Sequence, residues 1–399
     1  MKVLQINATY GYGSTGLIMR DIGDTLVASG NEAYFAYQSA NGDVPNGYAV
    51  GSFADRKAHA LLCRVFGRQG YYSHIPTKKL LRYIDKIKPD VVHLHNLHSN
   101  YVHLNKLLDY LGSKDIPTLI TLHDCWLFTG KCFHYIDVGC DGFTKECGRC
   151  PKRMAAPASL IFDCSRQVLR DRNKYLHLIP RLKIIGCSQW IVGEARRGLM
   201  KDLDISSIRN GVDTSIFKPQ SKEKAKRELG LDNKFVILGM ANKWLLPENA
   251  EFLEKIKARL TDSDRILLVG CTEAQLHALR DEEKIVAVGF IKGRQSMAMH
   301  YAASDVFLNV THADTLPTVN MECICSGTPV ISYKSCGSPE TVLDGCGYVV
   351  EENDVDAMLD RVRELKQNPL SKVGEIGLSS FDKNICYKAY LKEYEKLVK

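Results

Sequence analysis

The 399-residue sequence predicts an α/β protein of two domains, each a doubly wound parallel sheet with helices on both faces. Short apolar segments alternate with helical stretches, a pattern that favours parallel strands joined by right-handed crossovers. The alternation stops near residues 206–219 and then restarts, which indicates two separate sheets. A single core rarely grows beyond about 250–300 residues, so the length also favours two domains.

The first series of strands lies in the N-terminal half, and we place the first domain at residues 1–205. Its predicted strands are short runs rich in β-branched or aromatic residues. A Gly-rich turn follows the first strand. The segments are strands at 2–7, 32–37, 90–96, 118–124 and 182–188, with helices at about 17–29 and 78–88.

The second series predicts a domain at residues 206–375, followed by a C-terminal helical segment at 376–399. Its predicted strands are 235–242, 265–270, 285–290, 306–311, 328–333 and 347–350. Doubly wound sheets bind ligands beyond the carboxyl ends of their strands. The candidate binding segments are therefore 7–16, 95–98, 123–125, 242–243 and 311–318.

Composition excludes several classes of protein. With 45% hydrophobic and 25% charged residues, the chain has enough apolar content to bury a core, which excludes disorder. No run of about 18 apolar residues exists to span a bilayer. The first residues lack the apolar core of a secretory signal, so we expect a cytoplasmic protein. The net charge of +7 is too small to predict a nucleic-acid partner.

The positive charge is concentrated in residues 55–90, which hold nine Lys and Arg against three Asp. Aromatic and apolar residues are interleaved with these cations. One interpretation is a solvated face. The other is a surface for anionic lipid or a phosphate-bearing substrate, because each cation near an anionic leaflet gains about 1 kcal/mol.

Four of the fourteen cysteines are grouped with the spacing C-x7-C-x6-C-x2-C. In a reducing compartment such a group is typical of a structural zinc site, and we predict one at Cys132, Cys140, Cys147 and Cys150. His134 could replace one thiolate, and four unliganded thiols are the alternative. An all-thiolate site leaves no open position, so catalytic zinc is not expected.

The segment GYGSTG at 11–16 has the spacing G-x-G-x-x-G between a strand and a helix. A dinucleotide site would need an acidic residue at the end of the second strand, which instead reads Tyr37-Gln38-Ser39. We therefore interpret Gly13, Ser14, Thr15 and Gly16 as a helix start whose N–H groups face an anion. A plain tight turn is the alternative.

The segment 310–342 is the most informative. A helix is expected to begin near Pro317 and to end at Gly327, which leaves Asp314 in the preceding loop. The unpaired N–H groups at the positive end of that helix suit a diphosphate. Glu322 lies about one turn into the helix, where a carboxylate can accept hydrogen bonds from a ribose.

This Asp-x7-Glu segment resembles the motif of family 4 retaining glycosyltransferases, which have the GT-B fold of two facing Rossmann-like domains with an inter-domain cleft. Other parts agree in order along the chain: 13–23 with the glycine loop, 91–98 and 121–126 with two strand ends, 209–219 with the linker, and 381–398 with the final helix. The Cys-bearing insertion at 125–151 resembles a subgroup associated with capsule and exopolysaccharide synthesis.

The resemblance implies transfer of a sugar from a nucleotide diphosphate sugar to a glycan or lipid-linked acceptor, at the inner face of a membrane and without a catalytic metal. Asp314, His123 and Glu322 would be the catalytic residues. The family motifs place acceptor contacts at His95 and Asn96. Donor contacts would come from Gly13, Ser14, Thr15, Gly16, Lys243, Arg294, Leu316, Pro317, Thr318, Val319 and Glu322.

The sequence departs from the family pattern in two places. Asp314 stands where many relatives have Glu, and Lys243 is the only cation where an Arg and a Lys are common. Glu248 and Asn249 lie about where that lysine would be. Two alternatives stay open: a nucleotide-sugar epimerase or hydrolase, with His123 as its base, and a degenerate transferase that acts as a partner subunit.

Overall fold

The computed structural model describes residues 1–399 and divides the chain into two compact units. The N-terminal unit comprises residues 1–209 and 386–399, and the C-terminal unit comprises residues 210–385. Each unit contains one sheet in which every strand pair is parallel. The predicted fold class is therefore confirmed.

The N-terminal unit contains a seven-stranded sheet of order β3-β2-β1-β4-β5-β6-β7. The strands are β1 (Lys2–Tyr10), β2 (Glu32–Ala40), β3 (Gly47–Ala49), β4 (Val91–Leu94), β5 (Thr118–Leu122), β6 (Leu182–Gly186) and β7 (Ile205–Ser207). The helices are α1 (Gly13–Ala28), α2 (Phe53–Phe66), α3 (His74–Ile87), α4 (Leu104–Ser113), α5 (Ser165–His177) and α6 (Gln189–Arg197).

The C-terminal unit contains a six-stranded sheet of order β10-β9-β8-β11-β12-β13. The strands are β8 (Phe235–Met240), β9 (Asp264–Val269), β10 (Ile285–Val288), β11 (Val306–Asn309), β12 (Val330–Tyr333) and β13 (Gly347–Val350). The helices are α7 (Lys222–Glu228), α8 (Ala241–Trp244), α9 (Ala250–Arg259), α10 (Glu273–Ala278), α11 (Arg294–Ala302), α12 (Thr318–Cys325), α13 (Val355–Gln367), α14 (Val373–Phe381) and α15 (Lys383–Cys386).

The last helix, α16 (Lys388–Val398), returns the chain to the N-terminal unit. Tyr390 and Tyr394 are fully buried there, in the same core as β1 and α1. The Tyr394 hydroxyl hydrogen-bonds to Nδ1 of His93 on β4 at 2.7 Å. The C-terminal residues therefore stabilise the sheet of the unit in which the chain begins.

Several elements differ from the sequence-based expectation. The three-residue strands β3 and β7 were not predicted, because so short a segment carries almost no alternation. Helix α1 begins at Gly13 rather than Leu17, since the glycines that lower helix propensity are accommodated in its first turn. None of the helices combines the length and the apolar content that crossing a bilayer requires.

Candidate active site

The C-terminal unit has a cavity at the position where doubly wound sheets bind ligands. Strand order reverses between β8 and β11, and residues following both strands line a cavity of about 200 Å³. Lys243 and Asp314 contribute its charged groups. The other lining residues are Met240, Asn242, Trp244, Phe307, Leu308, Asn309, Val310, Thr311, Pro317 and Val319.

The loop that carries Asp314 is held by hydrogen bonds on both sides. The Leu316 N–H donates to Asp314 Oδ1 at 3.0 Å, and the Gly337 N–H donates to the Asp314 carbonyl at 3.1 Å. Pro317 is the N-cap of α12 and supplies no capping side chain, so Thr318 begins the helix. The first N–H groups of α12 therefore lie beside the carboxylate-bearing loop, as the sequence predicts.

Helix α12 is anchored by a buried amide chain. Asn309 donates from its side chain to Asn320 Oδ1 at 2.8 Å, and Asn320 donates to Thr341 Oγ1 at 2.8 Å. Both asparagines are buried. Because buried amides with satisfied partners fix a single arrangement, the helix start is set firmly relative to β11.

Glu322 lies one turn into α12 and accepts a hydrogen bond from the Tyr301 hydroxyl at 3.0 Å. Its enclosure by protein raises the pKa of the carboxyl to about 7, although Tyr301 and the Arg294 guanidinium oppose that shift. The carboxyl therefore titrates near neutral pH in the free protein. Such perturbed carboxyls are characteristic of functional sites.

The two predicted phosphate-binding cations differ in environment. Arg294 Nη1 lies 3.5 Å from Asp213 Oδ2, and its guanidinium stacks over the Phe217 ring at 5.2 Å. Lys243 forms no ion pair. It sits on the short helix α8, whose end is held by Asn249, which donates to the Lys243 carbonyl at 2.9 Å.

In the N-terminal unit, strand order reverses between β1 and β4, and Asn7 joins the groups at that point. Its Nδ2 donates to the Thr15 hydroxyl at 3.3 Å, and its Oδ1 accepts from the Asn96 N–H at 3.1 Å. Gly16 packs so closely that an added Cβ would lie 2.6 Å from Thr9 Oγ1. The α1 N-cap, Tyr12, makes no side-chain cap, so the first α1 N–H groups can face a ligand.

His123 follows β5, and its Nε2 lies 3.1 Å from Nδ1 of His95. Nε2 of His95 lies 3.0 Å from Oε1 of Gln5 on β1. Burial lowers the pKa of His95 well below its usual range and lowers that of His123 to about 4. Both rings are therefore neutral at physiological pH.

The sequence predicted an acceptor contact at His95, but the structure leaves its ring no nitrogen for a ligand. The residue is 4% exposed and both nitrogens are hydrogen-bonded. Asn96, the second predicted acceptor residue, is partly exposed. Alternation had placed His93 and His95 on one face, and their ring centroids are 3.9 Å apart, which confirms that expectation.

Gln5 and Tyr301 are site residues that sequence reasoning missed. Gln5 had a signal, because it is a polar residue inside the otherwise apolar first strand and shares a face with Asn7. Tyr301 had none, since its contact with Glu322 joins two helices separated by a strand.

The four grouped cysteines lie near one another, but the structure does not show a metal site there. No three His, Cys, Asp or Glu side chains in residues 1–399 form an arrangement that could hold a metal ion, and all fourteen cysteines are unpaired by disulfides. The Cys132 thiol hydrogen-bonds to Cys150, which lowers the pKa of Cys150 to about 6. A Cβ added at Gly142 would lie 3.5 Å from Cys140 Sγ and 3.8 Å from Cys147 Cα. Zinc at these four residues stays a prediction, which elemental analysis of the reduced protein would test.

Comparison with known families agrees with this geometry. A model described as Glycosyltransferase Family 4 matches residues 16–216, about half of the chain, and one described as Glycosyl transferases group 1 matches residues 222–368. The chain belongs to glycosyltransferase family 4. The transferase is therefore an enzyme of glycosyl transfer, as its motifs predict.

Individual relatives align with nearly the whole length of the transferase. The colanic acid biosynthesis glycosyl transferase WcaC of Escherichia coli strain K12 is 23% identical over 381 residues, covering 89% of this chain and 88% of the relative. Sucrose-phosphate synthase of Thermosynechococcus elongatus superposes with a TM-score of 0.70 at 16% identity, over 99% of this chain and 98% of that one. Anabaena HepE, solved in complex with UDP-glucose, gives 0.62 at 16% identity, over 99% and 100%. These likenesses establish the GT-B fold.

Proposed function

We propose that this glycosyltransferase moves a sugar from a nucleotide diphosphate sugar to a glycan or lipid-linked acceptor, with retention at the anomeric carbon, in surface polysaccharide synthesis. The observation that carries the proposal is the cavity of the C-terminal unit, which combines Lys243, Asp314 and the start of α12 at the reversal of strand order. The colanic acid role of the WcaC relative and the UDP-glucose bound to HepE support it.

The chemistry of this cavity matches the demands of the reaction. When the bond from the anomeric carbon to the diphosphate breaks, negative charge develops on the leaving phosphate oxygen. Lys243, the α12 N–H groups and Arg294 are donors that stabilise such charge, in the manner of an oxyanion hole. Asp314 can accept hydrogen bonds from sugar hydroxyls, and Glu322 can accept them from a ribose.

The proposal is tested first by nucleotide binding. Thermal-shift titration with UDP, GDP, ADP and their sugars should show stabilisation by one nucleotide class, because a ligand that binds only the folded state raises its stability by mass action. We expect the same transfer rate with EDTA as with added Mg²⁺. Stabilisation by none of these nucleotides would contradict the proposal.

The identity of the product then distinguishes glycosyl transfer from hydrolysis and epimerisation. NMR of the anomeric proton should show a new glycoside with the configuration of the donor. A free sugar or an epimerised nucleotide sugar would indicate a hydrolase or an epimerase instead. An inverted glycoside would contradict retention.

We also propose that the N-terminal unit contacts anionic membranes, as a lipid-linked acceptor requires. Phe53, Leu61, Phe66 and Phe162 are 65%, 64%, 44% and 50% exposed. The Phe66 and Phe162 rings stack with centroids 6.1 Å apart, so exposed apolar groups of helix α2 and of the segment before α5 are in contact. The exposed cations Arg64, Arg68, Lys78 and Lys79 lie in the same unit. Apolar and basic groups together are typical of interfacial binding.

A further inference from the structure

A buried amide connects two sides of the cavity in the C-terminal unit. Asn249, which immediately precedes α9, is 1% exposed. Its Nδ2 lies 2.9 Å from the carbonyl oxygen of Lys243 and 3.5 Å from that of Val310. Lys243 and Val310 both line the cavity, the first after β8 and the second after β11. The Asn249 side chain therefore joins the two strand ends at the reversal of strand order.

The orientation of this amide is determined by the groups around it. A carbonyl oxygen can only accept a hydrogen bond, so the amide nitrogen must face Lys243 and Val310. The opposite assignment would place the amide oxygen against two carbonyl oxygens. Oδ1 of Asn249 therefore faces Nε2 of His312, at 3.2 Å. Because an amide oxygen only accepts, Nε2 of His312 must carry a proton.

His312 is held from its other side by a carboxylate. Its Nδ1 contacts Oε1 of Glu352, which follows β13. A carboxylate oxygen only accepts, so a hydrogen bond there requires a proton on Nδ1 as well. The side chains of His312 and Glu352 are 24% and 37% exposed, so Asn249 is the buried end of this chain of three groups.

We propose that Asn249 and His312 are positioning residues that set the separation between Lys243 and the Asp314 loop. Val310 and Asp314 lie in the segment that follows β11, so a change at Asn249 would shift the lysine relative to the carboxylate. This inference rests on the proposed function, in which one nucleotide diphosphate sugar contacts both charged groups. Affinity for that ligand then depends on their separation.

The main chain around His312 is fixed by contacts that do not involve its ring nitrogens. The Ser335 hydroxyl donates to the Thr311 carbonyl at 2.5 Å, and the Cys336 thiol donates to the His312 carbonyl at 3.8 Å. The His312 ring also packs on the Tyr333 ring, with centroids 5.7 Å apart. A polar substitution at His312 should therefore leave the loop in place and change only the side-chain hydrogen bonds.

The proton on His312 can be measured directly on the free protein. Long-range ¹⁵N–¹H correlation of the chain labelled at histidine, assigned with His312→Gln, should show Nε2 of His312 protonated at pH 6 and at pH 8. Asn249 requires that donor whatever the charge of the ring. An unprotonated Nε2 at either pH would overturn the proposal. This measurement needs no nucleotide.

A matched pair of variants separates the two hydrogen bonds of His312. The amide nitrogen of glutamine reaches about as far as Nε2 of histidine, and that of asparagine about as far as Nδ1. His312→Gln therefore keeps the donor to Asn249, whereas His312→Asn loses it. We expect the Kd for the nucleotide sugar that stabilises the wild-type protein to rise about tenfold in His312→Asn, and His312→Gln should rescue most of that loss.

The control is His277→Asn, because His277 is exposed on α10 of the same unit and should be replaceable without effect on the Kd. Urea unfolding of both His312 variants shows whether they fold and how much stability each has lost. A purely structural role would lower the stability of both variants without separating their affinities. Equal Kd values for His312→Gln and His312→Asn would therefore overturn the proposal.

Failure of this inference differs from failure of the proposed function. If no nucleotide sugar stabilises the wild-type protein, the proposed function fails whatever the state of His312. If a nucleotide sugar binds and is turned over while both His312 variants bind it like the wild type, the function stands and the inference is wrong.

Discussion

The two units share a doubly wound parallel fold but differ in the groups that follow their central strands. In the N-terminal unit, Gln5, His95 and His123 are neutral and hydrogen-bond to one another. In the C-terminal unit, Lys243 and Asp314 line a cavity as charged groups. Neutral buried groups can satisfy each other, whereas charges at a partly desolvated cavity are costly unless a ligand pairs with them. Charged groups that await a ligand therefore lie in the C-terminal unit, whereas the polar groups of the N-terminal unit are largely paired with each other.

The largest effect is expected from Asp314→Asn. The amide keeps the size of the side chain but removes the charge that we assign to the donor sugar, so transfer should fall by about 10²–10³-fold. Nucleotide binding should be unchanged, because the variant leaves Lys243 and α12 intact. Steady-state kinetics and thermal shifts with the nucleotide measure the two quantities.

Asp354→Asn is the matched control for this variant. Asp354 is the N-cap of α13 and accepts from the Ala357 N–H at 2.9 Å, and asparagine caps equally well. It should therefore behave like the wild type. Wild-type turnover in Asp314→Asn would remove the assigned role of Asp314 and weaken the contrast between the units.

The fold was predictable because alternating strands and helices leave a strong pattern in the sequence. The positions of the charged residues were also predictable, because Pro317 and Gly327 mark the two ends of a helix. Asp314 precedes the start of that helix, and Glu322 lies within it. The partners were not, because Tyr301 and Asn249 reach the site only through tertiary packing. The contact of His95 with Gln5 joins residues 90 positions apart in sequence, and no local pattern encodes it.

The next largest effect is expected on membrane binding, which we assign to the N-terminal unit. Replacing Arg64, Arg68, Lys78 and Lys79 together by Glu should lower binding to anionic vesicles on the order of 10²–10³-fold at low salt. Each cation near an anionic surface contributes about 1 kcal/mol, and salt screens the attraction. Vesicle sedimentation with a salt titration measures it.

A control with the same change in charge uses exposed cations of the C-terminal unit. The variant in which Lys224, Arg227, Arg280 and Arg363 are replaced by Glu should bind anionic vesicles more tightly than the first variant does. Equal losses in both would show that net charge alone drives association. Wild-type protein that ignores anionic vesicles at low salt would refute the proposal.

Glu322→Gln should stabilise the free protein while weakening nucleotide binding. The folded-state pKa of Glu322 is about 7, above its usual value of 4.5, so the folded state holds this proton more tightly than the unfolded state does. Stability therefore falls as pH rises from about 4.5 to 7 and stays lower above that range. Glutamine removes this penalty, so the variant should gain about 3 kcal/mol at pH 8 and little near pH 4.5.

Urea unfolding at both pH values measures that gain, and Glu375→Gln is the control because Glu375 is exposed on α14 of the same unit. Titration with the stabilising nucleotide should show weaker binding to Glu322→Gln, since a neutral amide accepts a weaker hydrogen bond from ribose. A variant with the stability of the wild type at pH 8 would refute the raised pKa.

The smallest effect is expected from Lys243→Met, which tests whether one lysine holds the diphosphate in a site that lacks the usual second cation. Affinity for the nucleotide diphosphate sugar should fall about tenfold, because a charge-assisted hydrogen bond contributes about 1.5–3 kcal/mol and solvent screens part of it. The α12 N–H groups remain and limit the loss. Lys334→Met, which removes an exposed cation paired with Glu351 in the same unit, should bind like the wild type. If Lys243→Met binds normally and Arg294→Met does not, the diphosphate lies beside Arg294, and the cavity at the reversal of strand order is not its site.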